Sequence, residues 1–298
     1  METTIRQPQT MRTPAVGALY SIERHGLLVY AALAFGITWS LLIGAYLAIS
    51  AGVIDPDGAF VAIASQVAPA GPLIAAITVI ALSRGRAGLV TLGRSLIRWR
   101  VHPLWYALVF LGIPGLIVGV MSVLQGPAAV SAINDQWQTI VTRLPVIIVG
   151  TAIFTGLAEE PGWRGYAQPA ANERNQPLVA AFVVSLMWAL WHLPNALFGQ
   201  TVPETALHIL ATVINGLVLA WIYNSTRGSL LIVMLAHGAM NATAGLFVGP
   251  LGNTPAGVSI GEYYVISAVT FGAVVAVVLV LTNGRLGLRD PGATPASG

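Results

Sequence analysis

Long apolar segments, each about 20 residues in length, recur along this chain of 298 residues. The sequence places eight of them, at about 27–50, 59–82, 103–124, 143–167, 176–198, 205–223, 229–248 and 262–283. A helix of about 20 apolar residues crosses the hydrocarbon core of a bilayer, which is about 30 Å thick. The pattern therefore predicts an all-α, polytopic membrane protein with about eight transmembrane helices.

The composition supports a membrane location and excludes several kinds of chemistry. Charged residues make up 8% of the chain and hydrophobic residues 56%, whereas a soluble domain carries roughly 25% charged residues. Cysteine is absent, which excludes disulfides, zinc–thiolate sites and cysteine nucleophiles. Every basic residue is arginine, which excludes lysine-based catalysis. The small net charge of +3 is spread over loops and indicates no nucleic-acid partner.

The arginines predict the orientation of the chain. If the segments alternate across the membrane, 13 of the 14 arginines fall on one side, and Arg143 alone falls on the other. Cytoplasmic loops are enriched in basic residues, so both termini are expected in the cytoplasm of a multi-pass cell-membrane protein. We expect a cytoplasmic tail at 1–26, a transmembrane unit at 27–284 and a C-terminal tail at 285–298. Glu204 and Glu262 lie on the arginine-poor side.

A basic segment follows the second span, with the sequence "LSRGRAGLVTLGRSLIRWRVHPLWY". Leu89, Leu92 and Leu96 recur at helical spacing between arginines, as in a helix that lies in the membrane interface. The simpler interpretation is a basic loop against anionic lipid headgroups. Both interpretations make membrane lipid a partner of this segment.

Two adjacent glutamates end the fourth span, in "LAEEPGWRGY". A carboxylate costs about 3 kcal/mol to insert into hydrocarbon, so each needs a reason to be there. Glu160 and Arg164 are four residues apart and share a helix face, which predicts a structural ion pair. Glu159 points about 100° away and is left free for another role. Pro161 cannot donate a backbone hydrogen bond and predicts a kink.

Polar groups also interrupt the fifth and seventh spans, in "WALWH" and "HGAMN". Trp188 lies one turn before His192 and can form a wall of the same pocket, while His237 and Asn241 share a face of their helix. Taken singly, each is more often a packing or hydrogen-bonding residue between helices. Together with Glu159 they provide a carboxylate, two imidazoles and an amide, which can activate a water and bind an oxyanion. His208, near the arginine-poor end of the sixth span, is assigned no role.

These three motifs resemble those of the CPBP family, which comprises CAAX prenyl proteases of the Rce type and bacterial Abi, or bacteriocin-processing, proteins. "EEPGWRG" fits the E-E-x-x-x-R motif, "WALWH" an aromatic residue three residues before a histidine, and "HGAMN" the H-x-x-x-N motif. They occur in the family's order within about residues 140–250. This chain has Pro161 and Gly162 directly after the glutamates, where members of the family more usually have aliphatic residues.

The resemblance implies a glutamate-dependent intramembrane endopeptidase of eight helices. Glu159 would be the general base, His192 would hold the same water, and His237 and Asn241 would bind the developing oxyanion. Glu160 and Arg164 would shape the site. The implied substrates are peptides or membrane proteins, with prenylated proteins and bacteriocin precursors as candidates.

A metal-dependent mechanism is left open by the same residues. Glu159, His192 and His237 could hold a divalent ion such as zinc, with Asn241 as a poor fourth ligand. The chain lacks H-E-x-x-H, the commonest zinc signature, so no cofactor is expected with certainty.

Other functions are compatible with parts of the sequence. An intramembrane serine or aspartyl protease is disfavoured, because Ser229 reads as an ordinary helix start and the aspartates lie in loops or tails. A proton-coupled transporter remains an alternative, because intramembrane Glu, Arg and His are common in such carriers, although no inverted repeat is found. A non-catalytic immunity or binding protein with the same fold is a further alternative.

Overall fold

The computed structural model describes residues 14–248 and 258–288, and these residues form helices and turns without a strand. Seven helical segments in this part of the chain are long and apolar enough to cross a membrane: His25–Ser50, Ala59–Leu96, Leu104–Gln125, Ile140–Asn172, Pro177–Phe198, Val202–Ser225 and Ile260–Thr282. An eighth apolar segment, Leu230–Gly245, is shorter. The prediction of an all-α, multi-pass membrane protein is therefore confirmed. Residues 1–13 and 289–298 of the predicted tails, and 249–250 at the end of the motif region, lie outside the described residues.

The segments are built from α-helices that are separated in places by short 3-10 or π turns. In chain order the helices are α1 (Pro14–Ser50), α2 (Ala59–Val67), α3 (Gly71–Leu96), α4 (Leu104–Ala107), α5 (Ile113–Gln125), α6 (Pro127–Thr151), α7 (Leu157–Gly162), α8 (Gln168–Asn172), α9 (Pro177–Trp191), α10 (Val202–Ser225), α11 (Leu230–Val248) and α12 (Ile260–Thr282). Turns of 3-10 helix occupy Ala68–Ala70 and Leu193–Phe198. Capping boxes at Thr201–Glu204 and Ser259–Glu262 begin α10 and α12, so the two acidic residues stabilise helix N-termini.

Glycines allow the helices around the site to approach closely. A Cβ atom added at Gly162 of α7 would lie 2.6 Å from the carbonyl oxygen of Pro72, at the start of α3. One added at Gly238 of α11 would lie 2.5 Å from the carbonyl oxygen of Ile148 in α6. Helix contacts in membranes rely on such small residues because lipid provides no hydrophobic driving force between helices. The fourth span is thereby fixed against α3 and α11.

The fourth span remains helical beyond the glutamates, and the kink expected at Pro161 stays a prediction. Residues Ala152–Gly156 and Trp163–Ala167 form π turns on either side of α7, and the chain continues into α8. Both glutamates therefore stay on an ordered helix inside the bundle.

The first part of the basic segment, up to Leu96, belongs to helix α3. The interpretation of this part as a loop was therefore wrong. Gly85 has φ of 58° and ψ of −153°, and this glycine-favoured conformation redirects α3. Leu92 is buried, and Leu89 and Leu96 pack against the core. The stripe of leucines therefore faces the bundle, and irregular chain begins only after it.

Candidate active site

A buried ion cluster surrounds Glu160 in the middle of the bundle. Arg164 Nη1 donates to both oxygens of Glu160, at 3.0 and 3.1 Å, and Nδ1 of His237 lies 2.7 Å from Glu160 Oε1. Glu160 and Arg164 are fully buried, and His237 is 3% exposed. The predicted Glu160–Arg164 pair is present, and it also fixes the His237 ring, which the sequence did not indicate.

The geometry decides which nitrogen of His237 carries a proton towards Glu160. A carboxylate that is paired with arginine accepts hydrogen bonds, so His237 Nδ1–H donates to it. The other ring nitrogen, Nε2, is then left for the cavity that His237 lines. Glu160 and Arg164 hold His237 in place and do not themselves line that cavity.

Glu159, the neighbouring glutamate, has a different environment. It is 3% exposed, and its Oε2 accepts a hydrogen bond of 2.6 Å from Trp188 Nε1. Its Oε1 has no hydrogen-bond partner among the described residues. The different directions predicted for the two glutamates are therefore observed, since Glu160 is fully engaged and Glu159 keeps one oxygen available.

His192 ends α9 one turn after Trp188. Its Nδ1 lies 2.8 Å from the carbonyl oxygen of Trp188. A carbonyl oxygen can only accept, so Nδ1 carries the proton and Nε2 of the neutral ring is an acceptor. The ring is half-buried and packs edge-on against Trp188 and Trp191, with centroids 5.6 and 4.8 Å away.

Two cavities meet at Glu159 and His192. The larger one, of about 410 Å³, lies between α1, α2 and the turn at Leu193–Phe198, and its lining is mostly apolar. The smaller one, of about 170 Å³, is lined by side chains of α7, α9, α10, α11 and α12. Both linings include Glu159 and His192. A molecule that occupies both cavities would have to pass these two side chains.

All four residues predicted to be catalytic border the smaller cavity. Glu159, His192, His237 and Asn241 belong to its lining, as does Trp188. Asn241 is the most accessible of the four and lies one turn after His237 on α11. The structure therefore brings the residues of the three motifs together, while their chemical roles remain predictions.

Sequence reasoning missed several residues of this site. His208 of α10, to which no role was assigned, lines the smaller cavity, and its ring centroid lies 5.0 Å from that of His192. Asn195 lines the larger cavity, and Asn215 the smaller. Trp188 was expected only to form a wall, whereas it is a hydrogen-bond donor to Glu159. The sequence carried one indication that His208 and Asn215 belong to a site, namely that both are polar residues within an apolar span.

The candidate metal ligands do not form a recognisable metal site. In the part of the chain that the structure describes, no group of three or more histidine and carboxylate side chains is placed to hold an ion. Glu159 and His192 are instead held by Trp188, and His237 is held by Glu160. We therefore derive no chemical step through a metal.

Comparison with known proteins supports the reading of the motifs. Residues 141–243 match the family described as "Type II CAAX prenyl endopeptidase Rce1-like". A curated relative, CAAX prenyl protease 2 of Methanococcus maripaludis, is 24% identical over 107 residues, which cover 33% of this chain and 39% of the relative. The chain thus spans about two fifths of the length of that relative. Both matches confirm that this chain resembles the CPBP family of membrane proteases.

Proposed function

We propose that this protein is an intramembrane endopeptidase that hydrolyses a peptide bond with a water activated by Glu159. The observation that carries the proposal is the position of Glu159, which is buried where two cavities meet and keeps one oxygen without a hydrogen-bond partner among the described residues. The match to a family of CAAX endopeptidases covers Glu159 and the two motif histidines, His192 and His237.

The chemistry begins with a water between Glu159 and His192. Oε1 of Glu159 takes one proton of the water, and Nε2 of His192 accepts a hydrogen bond from the other. The water oxygen attacks the carbonyl carbon of the peptide bond, and the π electrons move to the carbonyl oxygen. Collapse of the tetrahedral intermediate breaks the C–N bond, and the proton on Glu159 goes to the leaving amine. Trp188 holds the base in one orientation through its bond to Oε2.

The developing oxyanion needs hydrogen-bond donors on its other side. Asn241 can donate from its amide NH₂. His237 can donate from Nε2–H when its ring is doubly protonated, and Glu160 stabilises this state by accepting from His237 Nδ1–H. Loss of one such donor typically slows acyl transfer by about 10²–10³. Glu160 and Arg164 act indirectly, by holding His237.

The cavities support a hydrophobic peptide or membrane-protein substrate. The larger cavity offers apolar side chains of α1 and α2, among them Leu42, Ala45 and Val61. Prenylated peptides are candidate substrates, since the curated relative is named a CAAX prenyl protease. Bacteriocin precursors are a second candidate, which rests only on the resemblance of the three motifs to bacterial Abi proteins. We place the protein in the cell membrane.

A cleavage assay separates this function from transport and from binding alone. The purified protein in detergent cannot hold a gradient, so only hydrolysis is observable. We expect a mixture of hydrophobic, quenched fluorescent peptides to yield product pairs whose masses sum to the substrate plus one water. Proton-coupled solute uptake by sealed vesicles, without any peptide cleavage in detergent, would instead establish a transporter.

A further inference from the structure

The wall of the smaller cavity that faces the motif residues comes from α10 and α12. The two helices begin side by side, and a Cβ atom added at Gly261 of α12 would contact the side chain of Glu204 in α10 at 3.6 Å. His208 lies in the second turn of α10, and Tyr264 lies in the second turn of α12. The three motifs contain neither residue.

Tyr264 fixes the orientation of His208. The two rings are stacked, with centroids 4.7 Å apart and planes only 3° from parallel. The Tyr264 hydroxyl accepts a hydrogen bond of 3.1 Å from Gln200, which precedes α10. The tyrosine ring is thus anchored at both ends of its side chain. The stack covers one face of the His208 ring and leaves the two nitrogens, which lie on the ring edge, uncovered by Tyr264.

The ring nitrogens of His208 are unused. Within residues 14–248 and 258–288, neither nitrogen has a hydrogen-bond partner, although the ring is half-buried and borders a polar cavity. A neutral imidazole always carries one N–H donor. The N–H of His208 is therefore available to a hydrogen-bond acceptor that enters the cavity.

The rest of the lining indicates which acceptor fits. Asn215 accepts from Ser267 through Oδ1 at 3.3 Å, so its NH₂ group is directed elsewhere. No arginine belongs to the described lining, and Glu159 is its only acidic side chain. A terminal carboxylate would find no arginine in this lining and would be repelled by Glu159. A neutral amide carbonyl matches uncharged donors without either cost.

We propose that His208 is a positioning residue that donates a hydrogen bond to an amide carbonyl of the substrate next to the scissile bond. The centroids of the His208 and His192 rings lie 5.0 Å apart, so a carbonyl that accepts from His208 would lie close to the reacting groups. The inference rests on the proposed peptidase function and adds a contact outside the three motifs. A contact made equally in the ground state and the transition state lowers KM and leaves kcat unchanged.

The test compares His208→Phe, His208→Gln and His208→Asn with the wild type. The probe is a quenched fluorescent peptide that the wild type cleaves, with its carboxyl terminus amidated. Phe preserves the stack on Tyr264 and removes the N–H donor, whereas Gln and Asn restore a donor near the position of Nε2 and Nδ1. His102→Phe is the matched control, since His102 is exposed and lies outside both cavities.

We expect His208→Phe to raise KM about 3- to 30-fold with little change in kcat or thermal stability, as the loss of one buried hydrogen bond predicts. Either Gln or Asn should recover most of the lost affinity. An unchanged KM, or equal losses in kcat and thermal stability, would overturn the proposal and leave His208 a packing residue. If the wild type cleaves no peptide, the proposed function fails, and this inference fails with it.

Discussion

The indole N–H of Trp188 donates to Glu159 Oε2 at 2.6 Å, and the same ring lies 4.5 Å from the guanidinium carbon of Arg164. One aromatic side chain thus links the free glutamate to the buried ion pair. The Trp188 side chain also packs against the rings of His192 and His237, at centroid distances of 5.6 and 5.3 Å. Trp188 is therefore at the centre of the site.

Trp188→Phe should reduce cleavage while the protein remains folded. Phenylalanine preserves much of the packing, but Glu159 loses its donor, at a cost of about 1–3 kcal/mol for a buried acceptor. We expect kcat to fall about tenfold or more, because the base is no longer held in one orientation. Trp105→Phe is the control, since Trp105 packs against Trp221 outside both cavities. Equal activity in the two variants would show that the hydrogen bond is not needed.

Arg164→Ala should lower the stability of the fold as well as the activity. The change leaves Glu160 buried without its cation, which costs about 3–5 kcal/mol. We expect a reduced folded yield and a lower thermal unfolding temperature in detergent.

Arg84→Ala provides the comparison for a pair near the surface. Arg84 and Glu173 are 3.7 Å apart with side chains 49% and 65% exposed, and such pairs contribute about 0–1 kcal/mol. If Arg164→Ala is as stable as Arg84→Ala but inactive, then Arg164 takes a direct part in catalysis.

The ion pair shows what the sequence could and could not predict. Spacing along one helix was sufficient for Glu160 and Arg164, because residues four apart meet wherever the helix is placed. The contact of Glu160 with His237 spans 77 residues and depends on how α7 packs against α11. Such a contact follows from tertiary packing, for which a single sequence carries no periodic signal.

The spans and the motifs were predictable for similar reasons. The lengths of the apolar segments were sufficient to predict the membrane-spanning helices, because the thickness of a bilayer sets the length of helix that crosses it. The π turns around Pro161 and the place of His208 in the cavity lining were missed. A proline is compatible with several local backbone conformations, of which π turns are one. The position of His208 in the site depends on how α10 packs beside α12.

Gly162→Ala should destabilise the protein and impair cleavage. The new methyl group would lie 2.6 Å from both the Pro72 carbonyl oxygen and the Tyr30 hydroxyl, so α7 would have to move away from α3 and displace the glutamates. Gly150→Ala, in α6, meets nothing within 4 Å and should be neutral or stabilising by up to about 1 kcal/mol. Thermal unfolding of the two variants measures the difference. Equal unfolding temperatures would mean that the contact between α7 and α3 is not close.

Metal chelation should leave the activity unchanged. The described side chains provide no set of three ligands, and the proposed chemistry needs only protein groups. We expect substoichiometric zinc in purified, active protein, measured by elemental analysis before and after chelator washing. Stoichiometric zinc, or activity lost on chelation and restored by zinc, would establish a metal-dependent mechanism.

Both termini should lie in the cytoplasm. This expectation rests on the distribution of the arginines and on eight crossings, the eighth being the short segment Leu230–Gly245. Reporters that are active on only one side of the membrane, fused before Met1 and after Gly298, should give the same cytoplasmic signal. Opposite signals would show that Leu230–Gly245 does not cross the membrane.

The ratio of kcat/KM between Glu159→Gln and the wild type tests the central claim most directly. Glutamine preserves the size of the side chain and an acceptor for Trp188 but cannot take a proton from water. Glu204→Gln is the matched control, because Glu204 caps α10 and glutamine serves equally well in a capping box. With one amidated fluorescent peptide, we predict that Glu159→Gln loses at least about 10²-fold, that Glu204→Gln retains wild-type activity, and that both unfold at the same temperature as the wild type. Full activity of folded Glu159→Gln would contradict the account.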